Sequence, residues 1–324
     1  MGIEIGVIET GDSPRGEAGK KYPKALKEAL KKLQPSLAPK KLYYKGNWPV
    51  LSEAEGDEGI FTNCLAVVGS RRLTYYGKKA TEQLVTEIAA AGITIVSGFM
   101  YGGDEAAHSA AVKCGGRTIA VMPCGINRIH PENQKKLYQE ILDNNGLIIS
   151  EYEGNAQPQT FTYIQRDRIV AGLSKAVLVT EAALESGSLI TASYAKKFGR
   201  KIFALPGQIT SEVSKGTIKL IKEGAEPVLD ANDILSFYKV LVSQKRTSAA
   251  SAPLRGALAS QGGSDSPSQG GLEQKIIEQL KREPMKTDDM ARTFKIPVAK
   301  IGTTLSLMQL KGFINLDNGK YYLN

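Results

Sequence analysis

The sequence predicts an α/β protein, a Rossmann-like doubly wound and mostly parallel sheet followed by a small C-terminal winged-helix domain. Three observations carry this reading. Runs such as LAVVG, TIAVM and AVLVT have no polar face, which suits parallel strands covered by helices on both sides. Between these runs lie segments with apolar residues at helical spacing, so strand and helix alternate along the body of the chain. After about Val242 the composition changes to RTSAASAPLRGALASQGGSDSPSQGG, which cannot bury enough apolar surface to fold, and a second patterned stretch follows it. The chain therefore divides into an N-terminal extension packing on the core (1–60), a Rossmann-like domain (61–243), a flexible linker (244–271) and a winged helix (272–324).

A length of 324 residues with 42% hydrophobic content supports a large domain plus a small one. The formal charge of +9 points to a polyanionic partner without choosing one. Cys64, Cys114 and Cys124 show no CxxC spacing and make an odd total, which argues against a disulfide framework or a zinc site and fits a reducing cytoplasm. The start, MGIEIGVIETGDSPRG, has no basic n-region and no long apolar core, and Gly6 occupies the Ser/Thr position of a myristoylation signal. No run approaches the roughly 18 apolar residues of a membrane span, so no targeting or membrane segment is expected.

In chain order, GDSPRGEAGKK resembles a phosphate-binding P-loop only superficially: Pro14 replaces the first glycine and Lys21 the magnesium-binding hydroxyl. Leu26, Leu30 and Leu33 predict a short amphipathic helix, and Leu42 to Asn47 an edge strand or an extended approach to the main sheet. Strands are expected near 64–69, 93–97, 117–122, 147–151, 175–180 and 201–205. The helix after the first of them carries Ala80, Leu84, Val85, Ile88 and Ala89 and stops at Gly92. In the tail, Leu272, Ile276, Ile277 and Leu280 form one helical stripe. TDDMARTF forms a second short helix with Thr287 as N-cap, and Val298, Ile301, Leu305 and Met308 mark a third, ended by Gly312. A hairpin turning on Asn318-Gly319 completes the set. The third helix offers only Lys300 and Lys311 as cations, few for major-groove reading.

Ligands of parallel α/β sheets bind outside the carboxyl ends of the strands, where helix N-termini favour phosphate. Three glycine turns fall at such ends: Gly69-Ser70-Arg71-Arg72, Ser97-Gly98 with Gly102-Gly103, and Ser186-Gly187-Ser188. None matches GxGxxG, so NAD and FAD are not expected, and no other cofactor or metal is indicated. Arg71, Arg72, Arg166 and Arg168 supply cations, although on a helix the last two diverge by roughly 200° and only one would face a ligand. Tyr75, Phe99, Tyr101 and Phe161 lie beside the turns and suit base stacking, with a core role the stronger reading for Phe99 and Phe161. Asp104 and His108 share a helical face and are placed to hydrogen-bond, while His130 has no catalytic task to perform. No Ser/His/Asp set, acid-base carboxylate pair or cysteine-base pair is present.

With VGSR, SGxxxGxDxxAH, SGSLITASYA and FALPGQI in this order, the chain resembles the DNA processing protein A family, also called Smf, over roughly Tyr22 to Leu235. LYYKGN, ISEY, RIVAGLS and IKEGAEPV extend the likeness. The resemblance implies an extended Rossmann fold that binds single-stranded DNA without strong sequence preference, dimerises, and helps load the RecA recombinase during transformation and recombination. It also implies that the terminal winged helix is a family feature. The family's phosphate and DNA pocket maps to Gly69, Ser70, Arg71, Ser97, Gly98, Asp104, Arg166, Arg168, Ser186, Gly187, Ser188 and Thr191. Asp167 stands where the family commonly has asparagine, Tyr101 where arginine is frequent, and Ile218 where asparagine usually follows Gly-Thr. The helical domain that often precedes the core is missing or reduced to the first twenty residues.

Two functions of different class emerge. The first is a non-enzymatic single-stranded DNA-binding protein. The rival is a nucleotide-processing enzyme that releases the base from nucleoside monophosphates, with Glu181, Glu185 and Arg166 as its acting groups, although the PGGxGTxxE signature of such enzymes is replaced by SGSLITA.

Overall fold

The structure, a computed structural model, describes residues 5–9, 22–33, 37–48, 59–239, 269–310, 312–317 and 319–323. The P-loop-like segment, most of the expected linker, Lys311 and Asn318 of the expected hairpin turn lie outside these residues. The chain forms two compact units, Met1–Gln244 and Lys245–Asn324.

In the first unit, β1 (Gly6–Glu9), α1 (Lys24–Leu30) and β2 (Lys41–Gly46) precede the alternating body. That body runs β3 (Cys64–Val68), α2 (Tyr75–Ala90), β4 (Thr94–Ser97), α3 (Gly103–Lys113), β5 (Thr118–Gly125), α4 (Lys135–Asp143) and β6 (Leu147–Tyr152). It continues through α5 (Thr160–Leu173), β7 (Ala176–Val179), α6 (Ser188–Phe198), β8 (Lys201–Ala204), α7 (Lys215–Lys222), β9 (Glu226–Pro227) and α8 (Ala231–Phe237). The sheet order is β1-β2-β6-β5-β4-β3-β7-β8-β9. Every pairing from β6 to β9 is parallel, while β2 joins β6, and β1 joins β2, antiparallel. The edge placement expected for Leu42 to Asn47 is corrected: β2 lies one strand in, because β1 covers its outer side.

Alternation along the strands explains why two layers of helices are needed. Ala66 and Val68 of β3 face a core shared with Leu26, Val170 and Ala195 from α1, α5 and α6. Leu65 and Val67 face the opposite core, with Leu84, Ala107 and Ile234 from α2, α3 and α8. Ile8, Tyr22, Leu42, Tyr44 and Trp48 belong to the first of these cores, so the N-terminal segment packs on the sheet.

The strand order has one consequence for function. Connections leave β3 towards β4 on one side, whereas the chain after β7 continues to β8 on the other. The carboxyl ends of adjacent β3 and β7 are therefore the switch point where loops diverge and a crevice opens.

The second unit has α9 (Gln269–Arg282), α10 (Thr287–Phe294), α11 (Val298–Leu310), and the antiparallel pair β10 (Ile314–Asp317) and β11 (Lys320–Leu323). Leu272, Ile276, Met290, Ile301, Leu305, Met308 and Ile314 form its core. Thr287 is the first residue of α10 and not its N-cap; Lys286 holds that position with no side-chain bond to the helix.

Candidate nucleic-acid interface at the switch point

A cleft of about 590 Å³ opens at the carboxyl ends of β3 and β7. It is lined by the three glycine turns and by one face of α5. Backbone bonds tie the turns together: Ser70 N–H donates to the Glu181 carbonyl (2.7 Å) and Gly103 N–H to the Ser70 carbonyl (3.0 Å).

Ten of the twelve expected site residues line this cleft: Gly69, Ser70, Arg71, Gly98, Asp104, Arg166, Ser186, Gly187, Ser188 and Thr191. Ser97 and Arg168 do not. Ser97 is buried at the end of β4 and donates its hydroxyl to the Val67 carbonyl (2.6 Å). Arg168 turns to the other side of α5, where both Nη2 contacts fall on Glu151 (2.7 and 2.8 Å) and Nε donates to the Leu37 carbonyl (2.5 Å). One residue, Asp167, lies between the arginines, and the divergence expected from an i, i+2 spacing on a helix is what parts them.

The glycines do different jobs. A Cβ on Gly69 would strike the Thr180 hydroxyl, and one on Gly98 would strike the Arg166 guanidinium, so both are required by close packing against protein. Gly187 has open space where a Cβ would stand and a φ of −56°, so nothing in the fold demands glycine there. It opens α6, with the Ser186 and Ser188 hydroxyls 2.8 Å apart beside it. The N-terminus of α2 is closed instead. Thr74 caps it, and the Glu181 carboxylate accepts from Thr74 N–H (2.8 Å) and Thr74 Oγ1 (2.5 Å). Glu181, one of the three groups the glycosidase reading requires, is thereby engaged away from the cleft, whereas Glu185 and Arg166 line it.

Charges in the cleft are sorted by depth. Arg71 and Arg72 are exposed, with the Arg71 guanidinium 5.2 Å above the Tyr163 ring. Tyr163 in turn shares a 2.7 Å hydrogen bond with His130 Nε2. Arg166 is 5% exposed and donates to the carbonyls of Gly98 and Val121 (2.7 Å to the latter) and to Asp167 (3.0 Å). Burial pushes the Asp167 carboxyl up to about 6 against the opposing pull of Arg166, and it raises Asp104 as well. Among the described residues no cluster of three or more His, Cys, Asp or Glu is arranged to hold a metal.

Several lining residues went unread in the sequence, chiefly Thr160, Tyr163 and Ile164. With Asp167 they sit at i, i+3, i+4 and i+7, so the helical stripe of α5 was the available signal. Phe161, expected in the core, is 56% exposed beside this stripe because it falls on the outer face of the first turn. Phe99 is fully buried against His108 and Tyr138.

The expected Asp104–His108 bond does not form. Asp104 accepts from Met100 N–H (3.2 Å), and His108 Nδ1 pairs with Thr118 Oγ1 (2.7 Å), whose proton goes to the Ile95 carbonyl (2.9 Å). Nδ1 is therefore the donor, and buried Nε2 has no partner. Burial, followed by the nearby Arg166 charge, lowers His108 from 6.5 to about 3. Below 6.5 the unfolded chain gains a proton that the folded chain refuses, so stability falls as pH drops towards 3. Over that interval His108 should contribute a loss of about 1.4 kcal/mol per pH unit, and His108→Gln should remove that part of the slope. Urea midpoints measured across the interval check this; equal slopes for the two proteins would count against it.

The sequence matches the profile of a family described as DNA recombination-mediator protein A over residues 16–239. Protein Smf of Escherichia coli is 40% identical over 198 residues, which is 61% of this chain and 53% of the relative, so the chain spans about half of that relative's length. DNA processing protein DprA of Streptococcus pneumoniae is 40% identical over 202 residues, 62% of this chain and 68% of the relative. Among solved structures, DNA processing protein A of Streptococcus pneumoniae aligns with a TM-score of 0.58 at 38% identity, over 66% of this chain and 70% of that one. DNA processing protein A of Helicobacter pylori, a structure that describes that protein's single-stranded DNA binding mode, aligns with a TM-score of 0.57 at 33% identity, over 68% of this chain and 93% of that one.

Proposed function

We propose that this chain, which belongs to the DNA recombination-mediator protein A family, holds single-stranded DNA in the switch-point cleft. One observation carries the reading: the open Ser186-Gly187-Ser188 turn at the start of α6 and the exposed Arg71 and Arg72 line the same cleft. Three N–H groups at the start of α6 bond within the turn, Ser188 to Ser186 Oγ (3.4 Å), Leu189 to the Ser186 carbonyl (3.0 Å) and Ile190 to the Gly187 carbonyl (2.9 Å). The serine hydroxyls, the positive end of the helix dipole and the guanidinium groups remain as phosphate ligands. Phe161, Tyr101 and Ile164 are 56%, 42% and 41% exposed in or beside the cleft, and offer faces for unpaired bases that a duplex would keep stacked. The role is one of binding rather than catalysis. We extend the proposal, on the resemblance of the motifs, to a cytoplasmic homodimer that delivers the strand to the RecA recombinase. Among the described residues no helix is long and apolar enough to cross a membrane.

The test is a salt titration of binding to single- and double-stranded DNA by the wild type and by Gly187→Val. The wild type should prefer the single strand. The variant should keep its melting midpoint, because the position has space and an ordinary φ, yet bind about tenfold more weakly as its side chain blocks a charge-assisted bond. Tighter binding to duplex, or an unaffected variant, would move the strand out of this cleft.

A further inference from the structure

The floor of the cleft is unsuited to phosphate. Arg166 lies there, but its guanidinium is committed to two backbone carbonyls and to Asp167. Two carboxylates, Asp167 and Asp104, surround this one cation, whereas Arg71 and Arg72 stand exposed at the rim. A phosphate seated on the floor would face the Asp167 carboxylate, and the one cation there already donates through Nε and Nη1 to protein acceptors. A neutral group that donates hydrogen bonds fits instead. On a strand whose phosphates lie at the rim, the group that reaches inwards is the Watson–Crick edge of an unstacked base.

Asp167 is placed to receive that edge. It lines the cleft, its side chain is 13% exposed, and one oxygen takes the Arg166 Nε bond (3.0 Å). A carboxylate has about four acceptor sites, so capacity remains. We propose that Asp167 is a base-selecting residue, accepting hydrogen bonds from guanine in preference to thymine, on the premise that the cleft holds a single strand. Guanine presents two adjacent donors, N1–H and the 2-amino group, to a carboxylate. Adenine and cytosine present one amino group beside a ring acceptor. Thymine presents one N–H flanked by two carbonyl oxygens, which repel the carboxylate.

The experiment compares an oligothymidylate with the same oligomer carrying one central guanine, by fluorescence anisotropy at neutral pH and fixed salt. A single guanine avoids quadruplex formation. For the wild type the guanine should tighten binding by about tenfold, the scale of a paired base-edge contact. Inosine in its place, which lacks the 2-amino group, should lose most of that gain, and 7-deazaguanine, which keeps the Watson–Crick edge, should retain it. These arms need no change to the protein. Asp167→Asn should bring the guanine and thymine oligomers within about twofold of each other. Equal wild-type affinity for the two oligomers, or a guanine gain that survives in Asp167→Asn, overturns base selection alone. Failure to bind either oligomer removes the strand reading along with it.

Discussion

Replacing Arg71 and Arg72 together with alanine is expected to leave the fold intact and to weaken binding to single-stranded DNA by about a hundredfold at low salt, as each hydrogen bond to a charged group contributes about 1.5–3 kcal/mol. The fold should survive because both side chains are exposed. The one packing contact shown for them is Arg71 over the Tyr163 ring at 5.2 Å, a contribution of about 0.5–1 kcal/mol at an exposed site. The hydrogen bonds that hold the turn come from backbone N–H groups, Arg72 N–H to Ser70 Oγ (3.0 Å) and Ser70 N–H to the Glu181 carbonyl (2.7 Å) among them, and the substitution keeps them. Each lost phosphate contact also returns a counterion, so the slope of log K against log salt should flatten by about 0.7 per arginine. A salt series on the wild type and the double variant measures both effects. A weaker complex with an unchanged slope would mean that the arginines shape the site without meeting phosphate.

The location of this cleft was legible in the sequence because its position follows from local chemistry. Two-sided apolar runs gave the strands to within a residue or two at most ends, and glycine at their exits marked the turns. What each turn does was not legible, since it depends on partners distant in sequence. Gly69 answers to Thr180, and Gly98 to Arg166, so two turns that read as anion sites are shaped by protein, and Gly187 alone of the three faces open space. The same limit explains His108, whose helical spacing pointed to Asp104 while the nearest acceptor, Thr118, sits on the next strand. Strand β1 escaped notice because four residues carry too little alternation, and its partner lies more than thirty residues later in the chain. The arginine pair shows the opposite case. Their spacing places the two on different sides of α5, and Arg166 lines the cleft while Arg168 does not.

That separation makes Arg168→Ala the sharpest contrast with the rim arginines. Arg168 is 3% exposed and joins three segments: α5 through the Gln165 carbonyl, β6 through both Glu151 oxygens, and the stretch before β2 through the Leu37 carbonyl. Truncation leaves the Glu151 carboxylate and two carbonyls without this donor, and breaking a buried pair from one side costs about 3–5 kcal/mol. Against a total stability of roughly 5–15 kcal/mol, the variant should melt on the order of 10 °C lower. Removing both charges, as in Arg168→Met with Glu151→Leu, should recover most of the loss, because no carboxylate is then stranded. The fraction that remains folded should bind single-stranded DNA with wild-type affinity and an unchanged salt slope, since Arg168 does not line the cleft. Calorimetry and binding below the melting transition separate the two roles: a normal melting midpoint with lost affinity would return Arg168 to the DNA site.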